Sequence, residues 1–155
     1  MRYILFTALL LFFDQSFGTS IKKFRFTKVS QLICHGGVTR IIFHKKFEDG
    51  GVEVVFIRKR RRYTIYSSCN KKDQFLAIWV RKNGTYGWNT LETVSDNDFD
   101  GEVDFGGSGK DFLHKQYIGP SFYNDHSVQG RENFIYWQKF YRQTVIEILA
   151  HFNIK

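Results

Sequence analysis

Proline occurs once in the 155 residues, methionine once and cysteine twice. A single proline excludes a proline-rich linker or stalk. Two cysteines are too few for a disulfide scaffold, and without a CxxC spacing they do not make a zinc site. The fold must therefore come from a hydrophobic core. Acidic residues are in deficit: 15 Asp+Glu face 23 Lys+Arg, a net charge of +8. No stretch reaches the ~18 consecutive apolar residues of a membrane-spanning helix. HExxH and GxSxG spacings are missing, and neither cysteine sits in a nucleophile context. What is present is aromatic and globular. Phe, Trp and Tyr make up 18% of the chain, with Phe alone at 17, and the 43% hydrophobic content excludes wholesale disorder. The length implies one domain.

The first residues have the grammar of a secretory leader. Arg2 supplies a positive start, Tyr3 to Phe13 is free of charge, and Ser16-Phe17-Gly18 places small residues at the cleavage positions. This predicts a signal peptide over 1–18 and a secreted domain over 19–155. Cleavage removes Arg2 and Asp14, one charge of each sign, so the net charge stays +8. In an oxidising compartment Cys34 and Cys69 are expected to form one disulfide, closing a loop of about 36 residues. Asn83-Gly84-Thr85 is an N-glycosylation sequon, and Asn-Gly is also a turn signal, so both readings put Asn83 on an exposed tip.

Along the rest of the chain, short β-type segments alternate with turn signals. Phe24, Phe26 and Lys28 alternate with Arg25 and Thr27; Val38–His44 and Val52–Ile57 are β-branched and aromatic; Arg62–Tyr66 alternates again; Phe75–Val80 carries Trp79. Gly36-Gly37, Glu48 to Gly51, Cys69 to Asp73 and Asn83-Gly84 separate them. Turns every 8–12 residues predict an antiparallel sheet. From Arg131 to Phe152 the period changes: Phe134, Trp137, Tyr141, Val145, Ile148, Leu149 and Phe152 recur at steps of three or four, giving an amphipathic helix. The expected fold class is α+β, mostly antiparallel sheet with a C-terminal helix.

Three local features are candidates for chemistry. Arg58-Lys59-Arg60-Arg61-Arg62 is a run of consecutive cations that cannot be buried without partners. It reads as a solvated edge that blocks aggregation, as a polyanion-binding patch for glycosaminoglycan, nucleic acid or an anionic membrane face, or as a nuclear address or processing site. Lys22-Lys23, Arg25, Lys28, Lys45-Lys46 and Lys71-Lys72 are candidates to widen it. Residues 95–110 form an acidic, then glycine-rich loop, with room for a short strand at Glu102–Phe105. Within it Asp96-x-Asp98-x-Asp100-Gly101-x-Val103 matches the first half of a calcium loop. The bidentate carboxylate belongs at the twelfth position, which is Gly107, so the set lacks oxygens unless Glu102 or Asp104 folds in. A solvated acidic loop is the preferred reading, with calcium at Asp96, Asp98 and Asp100 the alternative. Gly106 to Lys110 fails as a phosphate loop: Asp104 stands where its first glycine belongs, and Asp111 follows the lysine. The five histidines, His35, His44, His114, His126 and His151, are scattered.

Phe24-Arg25-Phe26-Thr27-Lys28-Val29, then Gly36-Gly37-Val38 with its apolar stretch, Val52 to Phe56, and Phe75 to Gly84 with Trp88 together resemble the FAINT-type modules of secreted piroplasm (Theileria-like) proteins. The likeness covers Phe24 to Trp88. It departs at Ile41-Ile42-Phe43, where those modules usually carry a Trp. The resemblance implies an exported protein whose module has no agreed enzymatic role. The expected function is a small secreted basic interaction protein, binding an anionic polymer or a host surface partner without catalysis and without a cofactor. Two alternatives stand beside it. One is a hydrolase of nucleic acid, pairing His114 or His126 with Arg131 and Glu132. The other is a small-ligand carrier with an aromatic-lined cavity.

Overall fold

The computed structural model describes residues 28–70, 75–87, 90–109 and 128–154. Residues 1–18, expected to be a signal peptide, and Lys22-Lys23, Arg25, Lys71-Lys72, Trp88, His114 and His126 lie outside them. The described chain runs from a short helix, α1 (residues 28–34), through six strands, β1 (Phe43–Lys46), β2 (Gly51–Arg58), β3 (Arg61–Ser68), β4 (Leu76–Lys82), β5 (Leu91–Asp96) and β6 (Phe105–Ser108), to a long helix, α2 (Val128–His151). The strands pair only with their sequence neighbours, all antiparallel, in the order β1-β2-β3-β4-β5-β6. The fold is thus α+β and mostly sheet, and no helix among the described residues is long and apolar enough to cross a membrane.

Strand periodicity decides which face is covered. Val52, Val54 and Phe56 of β2, Tyr63 and Ile65 of β3, Leu76, Ile78 and Val80 of β4 and Val94 of β5 point to one side and are buried. The α2 residues Trp137, Tyr141, Val145, Ile148 and Leu149, with Phe152 just past its end, close over them in a single core, and Val29 and Ile33 of α1 join it. Burying each large apolar side chain contributes roughly 1.5–3 kcal/mol. Phe56 is a centre of this packing: its ring stacks on Tyr63 at 4.9 Å and on His151 at 4.1 Å, and meets Phe152 edge-on at 5.3 Å. Trp137 lies so close to β6 that a Cβ added to Gly106 would stand 2.4 Å from its ring. Gly106 of β6 therefore serves the close approach of helix and strand.

Two readings of the sequence shift. Lys28 belongs to α1 and not to a strand: Val29 and Ile33, one helical turn apart, are both fully buried. Regular pairing of the Val38–His44 segment starts only at Phe43, because Arg40 takes a left-handed backbone (φ 55°) that breaks the extended run. Cys34, at the end of α1, and Cys69, just past β3, are disulfide-bonded with Cα atoms 5.5 Å apart. Close by, the Ser30 and Ser67 hydroxyls form a buried hydrogen bond of 2.6 Å.

Two outcomes follow from this core. Replacing Cys34 and Cys69 together by Ser should lower unfolding stability by about 3–4 kcal/mol, the loop-closure contribution, as read from denaturant midpoints. His151 is buried, with Nε2 3.2 Å from the Arg40 carbonyl. Burial, with Arg58 and Arg40 nearby, holds its pKa below 6.5, against the raising effect of the carbonyl contact. The unfolded chain therefore protonates first, and stability present above pH 6.5 is lost as pH falls through the lower folded pKa. His151→Phe should keep the stack on Phe56 and show a flatter fall in urea midpoint between about pH 7 and pH 5 than the native chain.

Candidate functional site: a basic end of the sheet

The run Arg58 to Arg62 is the β2–β3 turn. Arg58 and Arg61 face each other across the two strands, and Lys59 and Arg60 between them both have left-handed backbones (φ 47° and 61°). This is a two-residue hairpin turn of the primed kind, which matches the twist of the strands but ordinarily takes Asn-Gly. Each long side chain in that conformation costs about 1–2 kcal/mol. Two of the five cations thus occupy turn positions that the backbone would fill more easily with small residues.

The meander brings a second set of cations to the same end. Arg61 pairs with Lys82 and Arg62 with Arg81 across β3 and β4. The amide of Asn83 donates to the Arg60 carbonyl at 2.7 Å, locking the β4–β5 connection against the β2–β3 turn. Alternation then sorts the charges between the two faces. On the helix side Lys59 lies 3.8 Å from Glu147, and Arg61 lies 3.9 Å from Glu92. Glu147 also accepts a short hydrogen bond from the buried Tyr63 hydroxyl. Burial and that carboxylate push the Tyr63 pKa above its ordinary value, so the phenol stays a donor. The Arg58 Nε is buried and has no hydrogen-bond partner among the described residues.

On the opposite face the arrangement differs. Arg62, Arg81, Asn83, Gly84, Thr85 and Tyr86 line a polar hollow of about 170 Å³. No carboxylate lines it, and neither arginine has an ion-pair partner among the described residues. The hollow therefore presents two adjacent guanidinium groups, an amide and a hydroxyl, a donor set suited to sulfate or phosphate oxygens. The Thr85 hydroxyl donates to the Lys82 carbonyl at 2.6 Å, fixing the turn that exposes Asn83 of the sequon.

Of the cations expected to widen the patch, Lys45 and Lys46 are at the other end of the sheet, since Lys46 pairs with Val52 at the start of β2. Lys45 sits over the Phe47 ring at 4.6 Å instead. Arg81 and Lys82 are the partners that sequence reasoning missed. Their signal was position: they precede a turn, and in a meander every second turn falls at the same end. Arg131 and Glu132 are exposed in the first turns of α2. An apolar hollow of about 290 Å³ beside Trp79, Leu91 and Phe105 lies on the sheet face away from the core.

The acidic segment sits at the opposite end, between β5 and β6, and it is not merely solvated. Asp96 is fully buried. Its Oδ2 accepts hydrogen bonds from the Tyr141 hydroxyl at 2.9 Å and the Gly101 amide at 3.1 Å. Burial pushes the Asp96 carboxyl up to about 6, opposed by those two donors and, more weakly, by the nearby Phe99 amide. Gln138 of α2 bridges the loop, accepting from the Val103 amide at 2.8 Å and donating to the Gly101 carbonyl at 2.9 Å. The carboxylates that converge are Asp96, Asp98 and Asp104. Asp100, placed with the first two by motif, has its Oδ1 on the Glu102 amide at 2.6 Å.

Compared with family models, curated proteins and solved structures, the chain matches none of them.

Replacing Lys59-Arg60 by Asn-Gly should raise unfolding stability by about 1–3 kcal/mol through relief of two left-handed side-chain-bearing residues. Chemical denaturation checks it, and a loss of stability would mean that the Lys59–Glu147 contact outweighs the strain.

Proposed function

We propose that the protein is a small basic interaction protein whose sheet end, built from Arg60, Arg62, Arg81 and their neighbours, binds an anionic polymer without catalysing its breakdown. The observation that carries this reading is the Arg62–Arg81 couple over a polar hollow, without an ion-pair partner among the described residues, adjoining a turn that holds cations in a strained backbone. Strain retained at a surface turn is ordinarily tied to function. Arginine pairs suit planar recognition of sulfate and phosphate. The chain is read as secreted, which favours a sulfated glycan or other host-surface polyanion, and the resemblance to exported piroplasm modules points the same way. The exposed Asn83 is read as a glycan attachment point on the neighbouring turn.

The deciding test is heparin chromatography of the full chain. Arg60→Ser, Arg62→Ser and Arg81→Ser combined should elute at clearly lower salt, and the slope of log affinity against log salt should drop by about 2–3 if each arginine neutralises one anionic group. Lys45→Ser with Lys46→Ser, at the other end of the sheet, should elute with the native protein. Equal retention of both variants and the native protein would overturn the site, and turnover of a fluorogenic RNA or DNA substrate above a heat-killed control would overturn the non-catalytic reading.

A further inference from the structure

The β5–β6 connection carries a second, chemically opposite feature. Asp96 is fully buried, and its Oδ2 already holds the Tyr141 hydroxyl and the Gly101 amide. Its Oδ1 is equally shut off from solvent and has no hydrogen-bond partner among the described residues; the nearby Phe99 amide favours the charged carboxyl without reaching hydrogen-bond geometry with this oxygen. A buried carboxylate oxygen without a donor is an expensive arrangement unless a cation completes it. The cation's other ligands are in place: one oxygen each from Asp96, Asp98 and Asp104 lie within 4.8 Å of one another. Two oxygens bound to one calcium ion at 2.3–2.6 Å can be at most about 5 Å apart, so this grouping fits calcium's sphere. Magnesium demands near-ideal octahedral geometry, dehydrates reluctantly and usually takes only one or two protein carboxylates, so three loop carboxylates suit calcium better. The donors are all hard oxygens, with no imidazole or thiolate to favour zinc.

We propose that Asp96, Asp98 and Asp104 form a calcium site at the end of the sheet opposite the basic turn. Asp96 is the anchor. Tyr141 and Gly101 orient it through Oδ2 and leave Oδ1 for the metal. Asp98 and Asp104 supply the outer oxygens, and Asp104 takes over from the twelfth-position carboxylate that the sequence lacks. Gly101, with φ 90°, makes the sharp turn that returns the chain toward β6. Gln138 holds the Gly101 carbonyl and the Val103 amide, so the site is braced against α2. With three protein carboxylates and water filling the remaining positions, affinity should fall in the weak class of extracellular calcium modules, at about 10⁻⁴–10⁻³ M.

The experiment uses the full chain stripped of metal by a chelator. Calorimetric titration with calcium chloride should show one saturable site, magnesium should bind at least tenfold more weakly, and calcium should raise the thermal midpoint. Terbium should emit when excited through aromatic absorbance, since Tyr141 touches the anchor carboxylate, and calcium should quench the emission by displacement. Asp98→Asn and Asp104→Asn alter residues outside the core, so their folding is checked by circular dichroism, and each should lose at least tenfold in calcium affinity. Asp96→Asn should abolish binding. Absence of heat, of a midpoint shift and of terbium emission at about 10 mM metal, well above the expected dissociation constant, would overturn the proposal. So would calcium binding that Asp98→Asn and Asp104→Asn leave unchanged.

Discussion

The burial of one sheet face beneath α2 is the constraint on which the rest depends. A meander of six strands has one side that must leave water, and the stripe Trp137–Tyr141–Val145–Ile148–Phe152 covers it. The same helix then reaches polar features at both ends of the sheet. Tyr141 and Gln138 grip the acidic connection, Glu147 takes the Tyr63 hydroxyl and faces Lys59, and His151 stacks on Phe56. Packing and site geometry are therefore not separable. A shift of α2 by one residue would turn Trp137 off Gly106 and Tyr141 off Asp96 together.

The connectivity of the sheet explains why the charges gather as they do. In a meander, successive turns alternate between the two ends, so the β2–β3 and β4–β5 turns share one end while the β5–β6 connection takes the other. Period-two alternation then divides the cations of the basic end by face. Those on the helix side meet Glu147 and Glu92, whereas Arg62 and Arg81, on the open side, face each other. Like charges directly opposite on neighbouring strands are unfavourable. Their juxtaposition is thus a local cost that the packing of the rest of the sheet has to carry.

Much of this was legible from the residues. The C-terminal stripe, the strands β2, β3 and β4 and the Cys34–Cys69 pair follow from periodicity and count. Strand β5 was silent because its core-facing positions are Glu92, Val94 and Asp96, only one of them apolar. Helix α1 was hidden by alternation just before it and by its shortness. The acidic motif was visible, but burial of Asp96 was not: it depends on Tyr141, 45 residues away, donating to a carboxylate that would otherwise prefer water. Convergence of Arg81 with Arg62 likewise depends on strand register, which no local pattern encodes.

Among the described residues the arginine-bearing turns and the Asp96–Asp98–Asp104 cluster lie a strand length apart, at opposite ends of the sheet. Strands of six to eight residues span roughly 20–27 Å, more than two Debye lengths at physiological salt, so the two poles barely feel each other while each acts at full strength close by. Each end therefore sets its own local field, and an ion that approaches one of them responds to that end and scarcely to the other.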